Sequence, residues 1–312
     1  MADGMAGSQR HARGRIGVAL REPIPWHDLV QIVRTAEDTG YHALFVPEGV
    51  AREAFSTLAG LAGETSRIRV GTGVLPMTSR TSTLTAMGAA TLHGLSGGRF
   101  ILGIGAGLAR RLDSVREYVR EVRASLPQLP EAATPPPVWL AALGDGMIRL
   151  AGEIADGVLL NWCTPERAAQ ARQMIEEEAT RAGRDPDDVE IGVYVRACIG
   201  PPEEEAMAAL KGAAGQYASL AHYRRQLEIL GLGKEGLRAA EAVAAGRPQD
   251  VPEALVRALC LLGDPGEAVS RLEEFREAGA DLPVVYPVPS LEPVSSIMGT
   301  VLALAPSPAV EA

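Results

Sequence analysis

Aromatic side chains are scarce in this chain, at 4% of its residues, although 46% are hydrophobic. A core of that kind rests on Ala, Val, Leu and Gly, small residues suited to close packing of helices on a sheet. Cysteine is nearly absent too. Cys163, Cys198 and Cys260 are odd in number, widely spaced and form no CxxC, which argues against a disulfide framework or a zinc site and points to a reducing cytoplasm. Basic clusters are missing: 30 Lys and Arg face 39 Asp and Glu, for a formal charge of −9. Such a surface gains nothing from releasing phosphate counterions, so nucleic acid is not an expected partner. No apolar run reaches the length of a membrane span, and no basic amphipathic stretch suits an anionic membrane. Residues 1–13, MADGMAGSQRHAR, lack the apolar centre of a signal peptide and read as a flexible polar tail. A GxSxG nucleophile motif is also lacking, and His11, His27, His42, His93 and His222 show no metal-ligand spacing.

What the chain has instead is a rhythm. Short apolar runs at 16–20, 43–46, 68–74, 100–105, 138–142, 158–161, 190–195 and 282–287 alternate with helical stretches at 25–39, 55–66, 82–95, 111–126, 146–155, 165–182 and 202–230. Strands apolar on both faces imply a parallel sheet. Eight strand–helix units most naturally close into a (β/α)8 TIM barrel, an α/β fold that reaches this size as a single domain, here 14–312. Residues 231–281 are too long for a simple connection and hold at least two helices, near 235–245 and 265–278. They read as a helical excursion before the last strand.

In such a barrel the chemistry sits at the C-terminal ends of the strands. Glycines gather at three of them: Gly73 after strand 3, Gly105 and Gly107 after strand 4, Gly144 and Gly146 after strand 5. Glycine weakens strands and marks bends or close backbone approach, so three on one face favour a bound ligand over mere tight turns. The helix start at 144–146 offers free N–H groups to an anion, although Asp145 adds a negative charge there. The run 103–107 is no dinucleotide fingerprint, because position 108 is Leu. Glu48 is the one carboxylate directly after a strand. It reads either as a general acid or ring-orienting group, or as an ion-pair partner of Arg52 or another rim arginine. Cys163 lies near the mouth and reads as a bystander thiol.

The segments YHALFVPEG, SRIRVGTGVLP and GRFILGIGAG within 41–107, PPPVWLAALGDGMIRLAGEIADGVLLNWCTPE at 135–166, and LCLLGDPGEAVSRLEEFREAGADLPVVYPV closely resemble the luciferase-like monooxygenase superfamily. They are most similar to its branch of F420-dependent oxidoreductases. The resemblance covers roughly 14–305. It implies a barrel that binds a deazaflavin or flavin at the strand C-termini, a non-proline cis peptide bulge at Gly73–Val74, and a homodimer. It places Gly73, Val74 and Leu75 behind the ring, Gly105, Ala106 and Gly107 at its other edge, and Ala142, Leu143 and Gly144 near the ribityl and phosphate groups. Asn161 falls at a further phosphate-side position, and Glu48 near the reactive centre. The connection between strands 4 and 5 is shorter than in most relatives, and Leu108 replaces a polar residue. The reading that follows is hydride transfer between coenzyme F420 and an unidentified small organic substrate. The alternatives are an FMN-dependent monooxygenase and a non-enzymatic barrel that binds a ligand or partner.

Overall fold

The computed structural model describes residues 14–49, 52–107, 111–130 and 134–306. The expected tail at 1–13 and Leu108 lie outside them. The strands are β1 (Gly17–Ala19), β2 (Ala43–Val46), β3 (Arg69–Thr72), β4 (Leu75–Pro76), β5 (Phe100–Gly105), β6 (Val138–Ala142), β7 (Gly157–Asn161), β8 (Glu190–Cys198), β9 (Cys260–Leu262) and β10 (Leu282–Pro287). The helices are α1 (Trp26–Asp38), α2 (Ala54–Gly63), α3 (Ser82–Leu95), α4 (Leu112–Ser125), α5 (Asp145–Ile154), α6 (Pro165–Arg181), α7 (Glu203–Ala218), α8 (Ala221–Ile229), α9 (Gly233–Ala244), α10 (Glu253–Leu259), α11 (Pro265–Glu277) and α12 (Pro293–Ala303).

Every pairing is parallel. The order β10-β1-β2-β3-β5-β6-β7-β8 closes on itself where β8 meets β10, from Leu282 against Gly192 to Pro287 against Ala197. This is the expected eight-stranded (β/α)8 barrel. Side chains that point inward fill its centre: Phe45, Ile101, Trp139, Leu159, Tyr194, Val284 and Tyr286 are all buried there. The few aromatics therefore do a specific job. Phe45 and Trp139 stack with centroids 5.8 Å apart, and Tyr194 meets Tyr286 edge-on at 5.6 Å. A larger apolar shell of Val, Leu, Ile and Ala lies between the strands and the surrounding helices.

The helix starts follow local chemistry. Thr81, Thr164 and Asp264 each accept a hydrogen bond from a first-turn N–H of α3, α6 and α11, and Glu53 does so twice for α2. No helix among the described residues is long and apolar enough to cross a membrane.

Three details differ from the sequence expectation. The third strand is broken at Gly73–Val74 and resumes as β4 against β5. The long helix expected at 202–230 is two helices, α7 and α8, separated at Ser219–Leu220. The excursion spans α7 to α10 and ends in β9, which prolongs the edge of β8 from Arg196 to Cys198 after β7 has stopped. It has its own apolar centre of Met207, Leu210, Leu227, Leu255 and Val256, packed on Trp162 and Cys198 of the barrel. Helix α11, expected inside the excursion, is the barrel's regular helix leading into β10.

Candidate active site

A cavity of about 740 Å3 opens at the C-terminal ends of the strands, within the size range of small-molecule and cofactor sites. Its two sides differ in kind. The arc from β3 through β5 to β6 presents backbone and small side chains: Gly73, Val74, Gly105, Ala106, Gly107, Ala142, Leu143 and Gly144. The arc from β7 through β8 and β10 to β1 presents large polar side chains, chiefly Asn161, Arg196, Tyr286 and Arg21.

The first arc is shaped by the break in β3. The Gly73–Val74 peptide is cis, as the resemblance implied. Three contacts hold the bulge: the Tyr194 hydroxyl donates to the Gly73 carbonyl (3.0 Å), the Glu48 N–H donates to the Val74 carbonyl (3.2 Å), and the Thr72 hydroxyl bridges to Gly103. That hydroxyl donates to the Gly103 carbonyl and accepts from the Gly103 N–H, both at 2.8 Å. It replaces the ladder bonds that the bulge takes away from β5. Two glycines are required sterically. A Cβ at Gly73 would lie 2.0 Å from the Tyr194 hydroxyl, and one at Gly105 would lie 2.6 Å from a Val74 methyl. Leu75 departs from the expected set: its side chain is fully buried in the outer shell and does not line the cavity. Side chains alternate along a strand, so the residue after Val74 turns away.

At the β6 end, Gly144 caps α5 without any side-chain bond, and a Cβ there would meet nothing within 4 Å. The Met147 N–H donates back to the Gly144 carbonyl (3.0 Å), and no side chain caps the Asp145 and Gly146 N–H groups beside the cavity, as anion sites require. Asp145 does not oppose an anion as its sequence position suggested. Its carboxylate is ion-paired at 2.6 Å with Arg167, which is only 3% exposed. Arg167 also donates to the Leu143 carbonyl (3.3 Å), tying the loop to α6.

On the second arc, Asn161 lines the cavity with its amide engaged at both ends. Its Oδ1 accepts from Arg196 and its Nδ2 meets the Tyr223 hydroxyl at 2.8 Å. Arg196 stacks over Trp162, Tyr217 and Tyr286, with centroid distances of 4.6, 5.0 and 4.4 Å. Burial pushes the Tyr223 hydroxyl up to about 12 and raises those of Tyr194 and Tyr286, so these groups are neutral donors at ordinary pH. His222 and Tyr223 reach the mouth from α8, and Tyr217 from α7.

Glu48 sits at the rim and takes the ion-pair alternative, with Arg80 rather than Arg52. Its Oε1 accepts from Ser79 (3.0 Å) and Arg80 (3.3 Å), its Oε2 from Arg80 (3.1 Å) and the Ala54 N–H (3.4 Å). Arg52 turns away to the Ile24 carbonyl. A carboxylate with four donors around it is held in one position. Cys163 is buried, with its thiol pushed up to about 12. Among the described residues no cluster of His, Cys, Asp and Glu is placed to hold a metal.

The sequence reading missed the second arc almost entirely: Arg21, Tyr194, Arg196, Tyr217, Tyr223 and Tyr286. One signal was legible. Arg196 interrupts an apolar run, Val-Tyr-Val-Arg-Ala-Cys, in a strand covered on both faces, where a charge needs a reason. Tyr217 and Tyr223 carried no signal, because nothing local says that the excursion folds back over the mouth.

Comparison with known proteins agrees with this architecture. The luciferase-like monooxygenase family model matches residues 8–111 and 108–282. A 5,10-methylenetetrahydromethanopterin reductase of Methanopyrus kandleri is 27% identical over 307 residues, covering 82% of this chain and 88% of its own. A putative coenzyme F420-dependent oxidoreductase of Mycobacterium tuberculosis is 27% identical over 319 residues, covering 84% and 91%. The solved structure of the coenzyme F420-dependent tetrahydromethanopterin reductase from Methanopyrus kandleri superimposes with a TM-score of 0.77 at 24% identity, over 94% of this chain and 98% of that one. With the family model spanning nearly the whole barrel, the chain belongs to the luciferase-like monooxygenase family.

Proposed function

We propose that this protein is an F420-dependent oxidoreductase acting on a small organic substrate at the barrel mouth. The observation that carries the reading is the backbone-lined arc of β3, β5 and β6, continuous with the uncapped start of α5. Such a wall suits a flat ring that ends in a phosphate-bearing tail. The relatives named above, two of them F420-dependent by name, support the same choice.

Gly73, Val74, Gly105, Ala106 and Gly107 would flank the ring, and Ala142, Leu143, Gly144 and the first N–H groups of α5 would hold the tail. F420, when bound, supplies a two-electron hydride equivalent at its C5. The chain itself contributes position and exclusion of water. Tyr194 and Tyr286 line the cavity, with Phe45 and Trp139 packed with them in the barrel centre. Glu48, through its N–H and Oε2, holds the bulge and the start of α2. Leu84, Met87 and Leu95 form an exposed apolar stripe on α3, which suits the second copy of a homodimer. The three buried free cysteines suit a cytoplasmic protein.

The test is titration of the ligand-free protein with F420 and, separately, with FMN, followed by ligand fluorescence and thermal stability. Preferential, saturable F420 binding supports the reading. Preferential FMN binding moves the protein to the oxygen-activating branch, and binding of neither removes the cofactor assignment.

A further inference from the structure

We propose that Arg196 anchors an anionic group of the substrate, a carboxylate or a phosphate, on the side of the cavity away from the cofactor wall. This deepens the oxidoreductase reading and rests on it. Arg196 is 2% exposed and lines the cavity. The chain carries a surplus of carboxylates, and the other fully buried arginine, Arg167, is ion-paired with Asp145. Arg196 enters no ion pair among the described residues. Its guanidinium has five N–H donors, yet its one acceptor among those residues is Asn161 Oδ1. A buried charge without a counter-ion is costly. Here three aromatic faces hold it in place and leave its donors for a ligand.

The surroundings repeat the sign. Arg21, on the same arc after β1, also lines the cavity and enters no ion pair among the described residues, although the field of Glu22 reaches it. Its Nη1 lies 3.4 Å from the Tyr217 hydroxyl, whose ring stacks on Arg196. The Tyr223 and Tyr286 hydroxyls nearby, raised by burial, are neutral. Among the described residues the one carboxylate on the cavity wall, Glu48, is already paired with Arg80.

Position separates this corner from the cofactor's own anions. In the closed strand order β8 stands diametrically across from β3, and β7 separates it from β6 and the start of α5; the guanidinium lies against Asn161, Trp162, Tyr217 and Tyr286, none of them in the α5 turn. An oxyanion held there belongs to the second ligand. A guanidinium presents paired N–H groups that match the two oxygens of a carboxylate or phosphate, and the surrounding rings favour an apolar or planar body behind it.

The experiment uses the F420-loaded protein and three probes of one shape: benzoate, phenyl phosphate and uncharged benzamide. Binding is measured by calorimetry for the wild type, R196Q and R196K. The expected result is that one of the two anions binds at least about tenfold more tightly than benzamide. That preference is lost in R196Q and partly kept in R196K, while F420 affinity is unchanged. Whichever anion binds better identifies the group. Equal binding of benzamide by the wild type, which needs no variant, overturns the proposal. So does an anion preference that survives R196Q, or a parallel tenfold loss of F420 affinity, which would give Arg196 to the cofactor tail. If the wild type does not bind F420, the oxidoreductase reading fails. The same probe series on the ligand-free protein still decides whether Arg196 holds an anion.

Discussion

Replacing Thr72 with Val keeps the shape of the side chain and removes one hydroxyl. That hydroxyl is fully buried and makes two hydrogen bonds to the same residue, donating to the Gly103 carbonyl and accepting from its N–H, each at 2.8 Å. β3 has left β5 at this level: direct pairing stops at Gly71 with Ile101 and resumes at Leu75 with Ile104, a register that gives the Gly103 carbonyl a second donor in the Leu75 N–H and gives the Gly103 N–H no other acceptor. The Gly103 N–H would therefore be stranded. An unsatisfied buried group costs about 1–3 kcal/mol, and the extra methyl of Val recovers roughly 1 kcal/mol of apolar transfer. The expected net loss is about 1–2 kcal/mol. Urea denaturation of wild type, T72V and T72S measures it, with T72S keeping the hydroxyl and most of the stability. Because Gly103 lies two residues before Gly105, T72V should also weaken F420 binding. A stability loss below about 0.5 kcal/mol, the level of an ordinary surface change, would mean that the staple is not what holds the bulge.

The start of α5 gives two further tests. Gly144 has an extended backbone (φ −89°, ψ 160°) and open space at its Cβ position, so G144V should leave the denaturation midpoint unchanged. It should still lower F420 affinity by about tenfold or more by occupying the ligand's space. R167M exposes the start of α5 to an unpaired Asp145, and its F420 affinity should fall by about 1–2 kcal/mol. The double variant D145N/R167M should regain it in the same titration. His42, at the other end of the barrel, predicts an acid limb of stability. Burial, then the positive charges of Arg15 and Arg69, lower its pKa from 6.5 to about 4, against an opposing pull from Glu190. The unfolded chain binds the proton first, so this contribution is complete above pH 6.5. It is lost as pH falls towards 4 and changes no further below that. In H42Q the slope of stability against pH across that window should shrink; an unchanged slope would assign the acid limb to other groups.

Most of the barrel was readable from its residues, because buried parallel strands are unbroken apolar runs and their helices end at glycines such as Gly40. The glycine-lined arc was legible for a related reason: glycines at strand ends are conspicuous. The rest was set by distant parts of the chain. β9 hides behind the apolar run of α10, with no turn residue between Leu259 and Cys260. The break between α7 and α8 falls at Ser219–Leu220, where neither Gly nor Pro marks it. The sequence left the partner of Glu48 as Arg52 or another rim arginine; it is Arg80, 32 residues away, because Arg52 is near in sequence only. Leu75 was grouped with its neighbours in the chain, although the pleat sends its side chain to the opposite face.

The contrast between the two arcs bears on how such a protein changes over time. A wall made of backbone, with no room for a side chain at Gly73 or Gly105, can hardly drift. What is built on it stays built. The facing wall is made of exchangeable side chains, and Tyr217, His222 and Tyr223 arrive on an excursion with its own apolar centre. That helical unit can be recut without disturbing the strands beneath it. One chemistry can in this way be handed from substrate to substrate, with heredity written on one side of the cavity and novelty on the other.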